Sequence, residues 1–440
     1  MSNKANALKN LLPKLRFPEF QDTPKWSEKQ LEDALSPTVR QIKKPINPYT
    51  GLGLRSHGKG TFLKNLQLPE KNAMEYLYEV QRDDLIVNIT FAWEGAIAIA
   101  RQTDAGALVS HRFPTYTFNR NVAIPEFFRY IILDKRFIYN LGVISPGGAG
   151  RNRVLNKNDF LKLTVSIPDI PEQQKIADCL TSIDDLIAAH AQKLDALKSH
   201  KKGVMQGLFP AAGESLPRLR FSEFQDVGEW ESAPLREVYS FKVTNSFSRD
   251  QLNHTNGSVK NIHYGDIHTK FSTLFDISKE TVPYINSSQS IEKIKQECYC
   301  VEGDMVFADA SEDLNDVGKS IEIVNLNNEK LVSGLHTLLA RQITPKLAIG
   351  FGGHLFKSDR IRTQIKKEAQ GAKVLGISSG RLSNIEICFP SNKKEQQKIA
   401  DCLSALDEQI AAQSQKLEAL KSHKKGLMQG LFPSIEEVQG

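Results

Sequence analysis

Cysteines are scarce in this chain, aromatic residues are few, and no apolar run is long. Five cysteines stand among 440 residues, at Cys179, Cys298, Cys300, Cys388 and Cys402. Their odd number and the lack of a C-x-x-C pair argue against a disulfide framework or a zinc ribbon. Cys298-x-Cys300 reads as belonging to a buried strand, and no metal site is expected. No segment approaches the roughly 18 to 20 uninterrupted apolar residues of a membrane span. Met1-Ser2-Asn3-Lys4 opens without the apolar stretch of a secretory signal, so the expected location is cytoplasmic. Familiar catalytic signatures are missing as well. There is no G-x-G-x-x-G, no Asn/Asp-Pro-Pro-aromatic tetrapeptide and no His-Glu-x-x-His. Asp313-Leu-Asn-Asp-Val-Gly318-Lys319-Ser320 imitates a phosphate loop, but Asp313 occupies the place of the required first glycine.

What is present is enough apolar material for real cores, at 40% hydrophobic and 25% charged residues, in a length that suits two to four domains. Lys plus Arg is 57 against 51 for Asp plus Glu, a net +6. So mild an excess is compatible with a phosphate-bearing partner without requiring one.

An internal repeat organises the rest. Residues 172–210 and 395–433 align without a gap and are identical at 30 of 39 positions. A shorter repeat precedes each half: the stretch from Pro13 to Asp22 matches that from Pro217 to Asp226, and Trp26 matches Trp230. Between these lie divergent regions, 27–167 and 231–389. The near-identical segments must do one job twice, and the divergent regions must do different jobs.

In the first long copy Ile176, Leu180, Ile183, Ile187, His190, Leu194 and Leu197 recur in steps of four and three, continuing through Lys201, Val204 and Leu208. The second gives Ile399, Leu403, Leu406, Ile410, Gln413, Leu417 and Leu420, then Lys424, Leu427 and Leu431. A period of about 3.5 residues held over four heptads is a coiled-coil seam. Asp169 and Pro171 precede the first helix, Ser391 and Asn392 the second. Gly207 with Pro210, and Gly430 with Pro433, are expected to close them. Lys198, His200, Lys201 and Lys202, with copies Lys421, His423, Lys424 and Lys425, read as solvated charges at a negative helix end before they read as phosphate ligands. His190 and Gln413 are midpoints of their seams, and either parallel or antiparallel pairing matches them. The long domain between the helices gives the chain room to return, which favours antiparallel.

Two variable regions, each followed by Ile167-Pro168 or Phe389-Pro390, an E-Q-Q-K-I opening and a long heptad helix, resemble the specificity subunit of type I restriction–modification enzymes. The likeness covers about residues 13–433, with weaker support from Gly148-Ala149 and Gly371-Ala372. It implies α/β (α+β) target recognition domains in tandem, bridged by two helices in an antiparallel coiled coil with a pseudo-two-fold repeat. The implied division is an extension (1–12), recognition domain 1 (13–167), helix 1 (168–210), linker (211–216), recognition domain 2 (217–389), helix 2 (390–433) and a tail (434–440). Each domain would read half of a bipartite site in double-stranded DNA. The helices would dock two adenine-methylating modification subunits, and motor-nuclease subunits would join them. S-adenosylmethionine, ATP and Mg would sit on those partners, with no cofactor on this chain and no catalysis by it alone. On the residues, two other readings stay open: a nuclease or methyltransferase with an unfamiliar site, and a protein-binding scaffold that ignores DNA. A seam of 29 residues, Ile176 to Val204, spans about 43 Å, the order of the ~34–36 Å between half-sites on one DNA face.

Bases are read by Arg, Lys, Asn, Gln, Ser and Thr, and phosphates by cations and backbone N–H groups. Gly-flanked polar loops are therefore the candidates. In the first domain these hold Arg55, Ser56, His57 and Lys59; His111 and Arg112 after Ser110, at the end of an expected strand; and Arg151, Asn152 and Arg153. In the second they hold Tyr264, His268 and Lys270; His336; and Lys373, Ser378 and Ser379. An ordinary solvated turn is the alternative for each. Trp26, Trp93 and Trp230 are expected in cores rather than as stacking platforms.

Overall fold

A computed structural model describes residues 12–71, 73–147 and 153–433. Two helices of 39 residues each, Ile170–Leu208 and Lys393–Leu431, dominate it. Their interiors are rich in Ala, Leu, Lys, Glu and Gln, and the one proline, Pro171, sits in a first turn where its missing N–H costs nothing. The Asn392 side chain caps the second helix by accepting from the Lys394 amide at 2.9 Å. All ten seam positions in each copy are buried or half-buried.

Each helix, about 58 Å at 1.5 Å per residue, continues past the 29-residue stretch from Ile176 to Val204 to the last seam position. One feature differs from the sequence expectation. Gly207 and Gly430 do not close their helices as left-handed caps but lie inside the last turn. They are small because a short repeat crosses there, the second at Gly207 and the first at Gly430. The Leu219 amide donates to the Gly207 carbonyl and the Leu15 amide to the Gly430 carbonyl, both at 2.8 Å.

The chain forms two compact units, one running up to His190 and resuming at Lys416, the other Ala191–Gln415. In the first, Ile176, Ala177 and Leu180 share a core with Leu427, Met428 and Leu431. Lys424 donates to Asp184 alongside. In the second, Val204, Met205 and Leu208 share a core with Ile399, Leu403 and Leu406, and Lys201 donates to Asp407. Within each unit one helix therefore ascends as the other descends: the pairing is antiparallel. Asp184 and Asp407 are repeat copies, as are Lys201 and Lys424, so each unit makes the same ion pair.

The short repeat is explained by a buried carboxylate at the head of each helix. Glu172 accepts from Arg16 Nε at 2.9 Å and Nη2 at 2.7 Å, and from Trp26 Nε1 at 3.3 Å. Glu395 accepts from Arg220 Nε and Nη2, both at 2.8 Å, and from Trp230 Nε1 at 3.2 Å. The next residue ties down the variable domain. Gln173 accepts from the Ile124 amide and donates to the Val122 and Pro168 carbonyls; Gln396 does the same with Ala348, Lys346 and Pro390. Trp26 packs with Phe127 and Phe432, and Trp230 with Phe351 and Phe209, so both tryptophans are core.

Both variable domains are α+β and share a frame despite their divergence. In the first, a sheet in the order Leu35–Thr38, Thr115–Phe118, Leu85–Val87, Ile97–Ile99 is antiparallel throughout. A five-stranded sheet pairs Tyr49–Leu54 with Leu108–Val109 in parallel. In the second, Tyr239–Lys242, Thr337–Gln342, Met305–Ala308, Ser320–Asn325 and Leu274–Asp276 make the first sheet, and Lys260–Ile262 pairs with Leu331–Ser333 in parallel. A buried aspartate enters the central strand in each: Asp84, gripped by Arg40, and Asp304, gripped by Arg341. Cys298 and Cys300 are buried, but they flank a single bridge from Tyr299 to Val332 at the end of a short turn, rather than lying in the expected strand. Too few residues continue that pairing to make a ladder.

Candidate nucleic-acid interface

In the first domain the predicted loops gather on a turn that their residue types do not flag. Residues 55–60 join the antiparallel strands Tyr49–Leu54 and Thr61–Gln67. Their backbone is bonded to the Ala92–Glu94 turn, His57 N to Glu94 O at 2.7 Å and Gly58 N to Gly95 O at 2.9 Å. Ser56 Oγ donates to Glu94 Oε2 at 2.9 Å. His57 sits at φ +60°, uncommon for a residue with a side chain. Arg55 stacks on Phe62 and donates to the Thr61 carbonyl, while Lys59 is exposed. The strand Leu108–Val109 ends just before Ser110, and the exposed His111 and Arg112 follow, with the Arg112 carbonyl accepting from the Ile89 amide, in the segment that leads into that turn. Arg153 is committed to the fold: it stacks over Trp93 and donates to the Ser145 and Gly142 carbonyls. Trp93 is half-buried. Arg151 and Asn152 lie outside the described residues.

The second domain gathers its loops in the corresponding place, around Asp309–Ser311. His268 Nε2 lies 3.0 Å from the Ala310 carbonyl, the Asp309 amide donates to the His336 carbonyl, and Ala310–Ser311 pairs with Leu375–Gly376. His336, at φ +55°, is exposed and holds its Nδ1 3.2 Å from Asp309 Oδ1. Burial pushes the Asp309 carboxyl above its usual range, and His336 works against that rise. The Tyr264 ring stands between those of His263, His268 and His336. Lys270 and Arg249 both pair with the buried Asp266; burial pushes its carboxyl up, and those two cations outweigh it and hold it low. Lys373 and Ser378 are exposed, Ser379 half-buried, and Ser378 Oγ caps a short helix by accepting from the Arg381 amide. The phosphate-loop lookalike is an ordinary turn whose Lys319 donates to the His268 carbonyl.

The type I restriction modification DNA specificity domain matches residues 41–199 and 228–422. The chain belongs to this family. It is 25% identical over 283 residues to the type I restriction enzyme MjaVIII specificity subunit of Methanocaldococcus jannaschii. It is 22% identical over 275 residues to the putative MjaX specificity subunit of the same organism. Each match takes in 62% of this chain, and it spans 62% and 59% of those relatives' length. In fold it is similar to the S subunit of a type I restriction–modification system from M. genitalium, with TM-score 0.58 at 12% identity over 96% of this chain and all of that one. A structure described in terms of complex assembly and conformational transition of the type I system matches with TM-score 0.51 at 17% identity, over 92% of this chain and 97% of that one.

For a member of the specificity family, the turns at Ala92–Glu94 and Asp309–Ser311 are the residues that sequence patterns miss. Neither carries a glycine-flanked cationic pattern. They matter because distant loops meet at each: three bond to Asp309–Ser311, while at Ala92–Glu94 the 55–60 loop bonds, Arg153 stacks on Trp93, and the Arg112 carbonyl is held by Ile89 just before it. Among the described residues no helix is long and apolar enough to cross a membrane, and no cluster of three or more His, Cys, Asp or Glu could hold a metal ion.

Proposed function

We propose that each variable domain reads one half of a bipartite DNA site through the loops gathered on its central turn, and that the paired helices set the gap between the halves. The observation that carries this reading is the contrast between the two kinds of duplication. The carboxylate clamp, the glutamine tie and the Lys–Asp seam pair occur twice with the same atoms. The loop clusters occur twice in place but not in residue. A common frame with different side chains at its tip suits two readers of different sequence.

The near-identical outer faces of the helices then serve two copies of one partner, the adenine-methylating modification subunit. S-adenosylmethionine belongs to that subunit, and ATP and Mg to the motor-nuclease that completes the complex; this chain supplies recognition and no chemistry. Continuous helices of about 58 Å exceed the ~34–36 Å between half-sites one turn apart, leaving length for docking beyond the spacer.

Mapping methylated adenines in DNA from cells carrying the complete complex tests the reading. A bipartite motif with a fixed gap is expected, and replacing residues 27–167 by another member's domain should change one half only. Loss of both halves together, or a continuous motif, would overturn it.

A further inference from the structure

A carboxylate stands in the middle of the first domain's cationic loop cluster, and its position has a chemical consequence. Glu94 is half-buried on the turn that carries the 55–60 loop. One oxygen, Oε2, accepts from Ser56 Oγ at 2.9 Å. Among the described residues Glu94 makes no ion pair. Together with Asn88, Phe62, Phe91 and Phe113 it lines a cleft of about 270 Å³. The exposed Lys59, His111 and Arg112 belong to the same loop cluster.

An ionised carboxylate accepts hydrogen bonds and donates none. Against a phosphate it is repelled, so on a surface that approaches DNA it weakens binding unless it meets a donor. In the major groove the base donors are the exocyclic amino groups of cytosine and adenine; guanine O6, thymine O4 and the purine N7 atoms are acceptors. Adenine presents its amino group beside the N7 acceptor, a pair matched by an amide carrying one donor and one acceptor. Ser56 engages one oxygen of Glu94 and leaves the other, which can only accept, to face an amino donor with no acceptor beside it, as cytosine presents.

Resting on the functional reading above, we infer that Glu94 is a specificity-determining residue: it accepts from the N4 amino group of a cytosine in the half-site read by the first domain, and Ser56 orients it. That half-site carries a fixed C·G pair, and the same carboxylate rejects pairs that turn an acceptor toward it.

The wild-type methylation map supplies the motif. Binding of the intact chain to duplexes varied at each pair of the first-domain half then tests the residue, in wild type, Glu94→Gln and Ser56→Ala. Glu94→Gln keeps an acceptor for Ser56 and the shape of the side chain. It is expected to lose about tenfold or more of the preference for one C·G pair, the discrimination of one good base contact, with the other half-site unchanged. Ser56→Ala, which removes only the orienting bond, should lose a smaller part of that preference than Glu94→Gln. A wild-type preference that survives Glu94→Gln overturns the assignment alone. So does an equal loss in Ser56→Ala, since the carboxylate would then act only by stapling its loop. A wild-type map without a bipartite motif overturns the functional reading and this assignment with it.

Discussion

Arg16 and Arg220 show how much a single side chain carries in this fold. Each guanidinium reaches a carboxylate that is almost fully buried at the head of a long helix, and both partners are under 10% exposed. Removing one partner of such a pair leaves a buried charge uncompensated, at a cost of about 3–5 kcal/mol. Arg220→Ala is expected to lower the unfolding free energy read from a urea titration by that order, and Arg220→Lys to recover only a fraction of it, because an ammonium cannot reproduce the two-pronged bond. A second residue-scale expectation concerns Glu322, which accepts from the Gly350 and Gly353 amides in the core of the second unit. Burial pushes its carboxyl up from 4.5 to about 7, against the downward pull of those amides. The folded chain thus holds this proton more tightly than the unfolded one. The resulting stability is complete below about pH 4.5 and disappears as pH rises to about 7, on the order of 3 kcal/mol in all. His354 acts in the opposite sense: burial pushes it down from 6.5 to about 4, so its effect is a gain in stability as pH rises between those values. In Glu322→Gln the falling arm is removed, and denaturation midpoints should climb from pH 4 to 6.5 more steeply than in wild type. Parallel profiles for the two proteins would contradict the assignment.

Between elements, the glycines of the repeated helices separate propensity from packing. Gly203 has open space where a Cβ would go, whereas a Cβ on Gly207 would lie 2.3 Å from Leu219 Cδ1 and 3.2 Å from its Cβ. Ala favours a helix interior by about 1 kcal/mol over Gly, so Gly203→Ala should raise the thermal midpoint. At Gly207 the same gain meets overpacking of about 1–3 kcal/mol, because the bond from the Leu219 amide to the Gly207 carbonyl holds the two segments together. Gly207→Ala should therefore lower the midpoint, and adding Leu219→Ala should restore it. Equal shifts at the two glycines would show that the crossing is slack.

At the scale of the whole molecule, the modest net charge of +6 makes binding depend on where cations stand rather than on their number. Phosphate contacts release counterions, so affinity for DNA should fall log-linearly with salt. Exchanging an exposed loop cation such as Lys59 or Arg112 for Ala should flatten that slope by about one, whatever the DNA sequence. Arg153 is expected to behave differently. Its guanidinium is engaged by Trp93 and two carbonyls, so Arg153→Ala should lower thermal stability and leave the salt slope nearly unchanged.

The periodicity, the doubled organisation, the burial of both lead-in tryptophans and the polar loops of each variable region were legible in the order of residues. All rest on local spacing or on comparing the chain with itself. A heptad repeat commits a helix to a seam because side chains three and four residues apart share a face. The partners of Glu172 and Glu395 were not legible, since Arg16 lies 156 residues from Glu172, and Arg220 lies 175 from Glu395. Nor was the true reason for Gly207, because the same residue can end a helix or admit a neighbour. The turn bearing Glu94 has an ordinary sequence, and its importance comes from loops elsewhere in the chain that bond to it. Which distant groups meet depends on burying apolar faces and pairing every buried charge at once, and only the folded chain settles that.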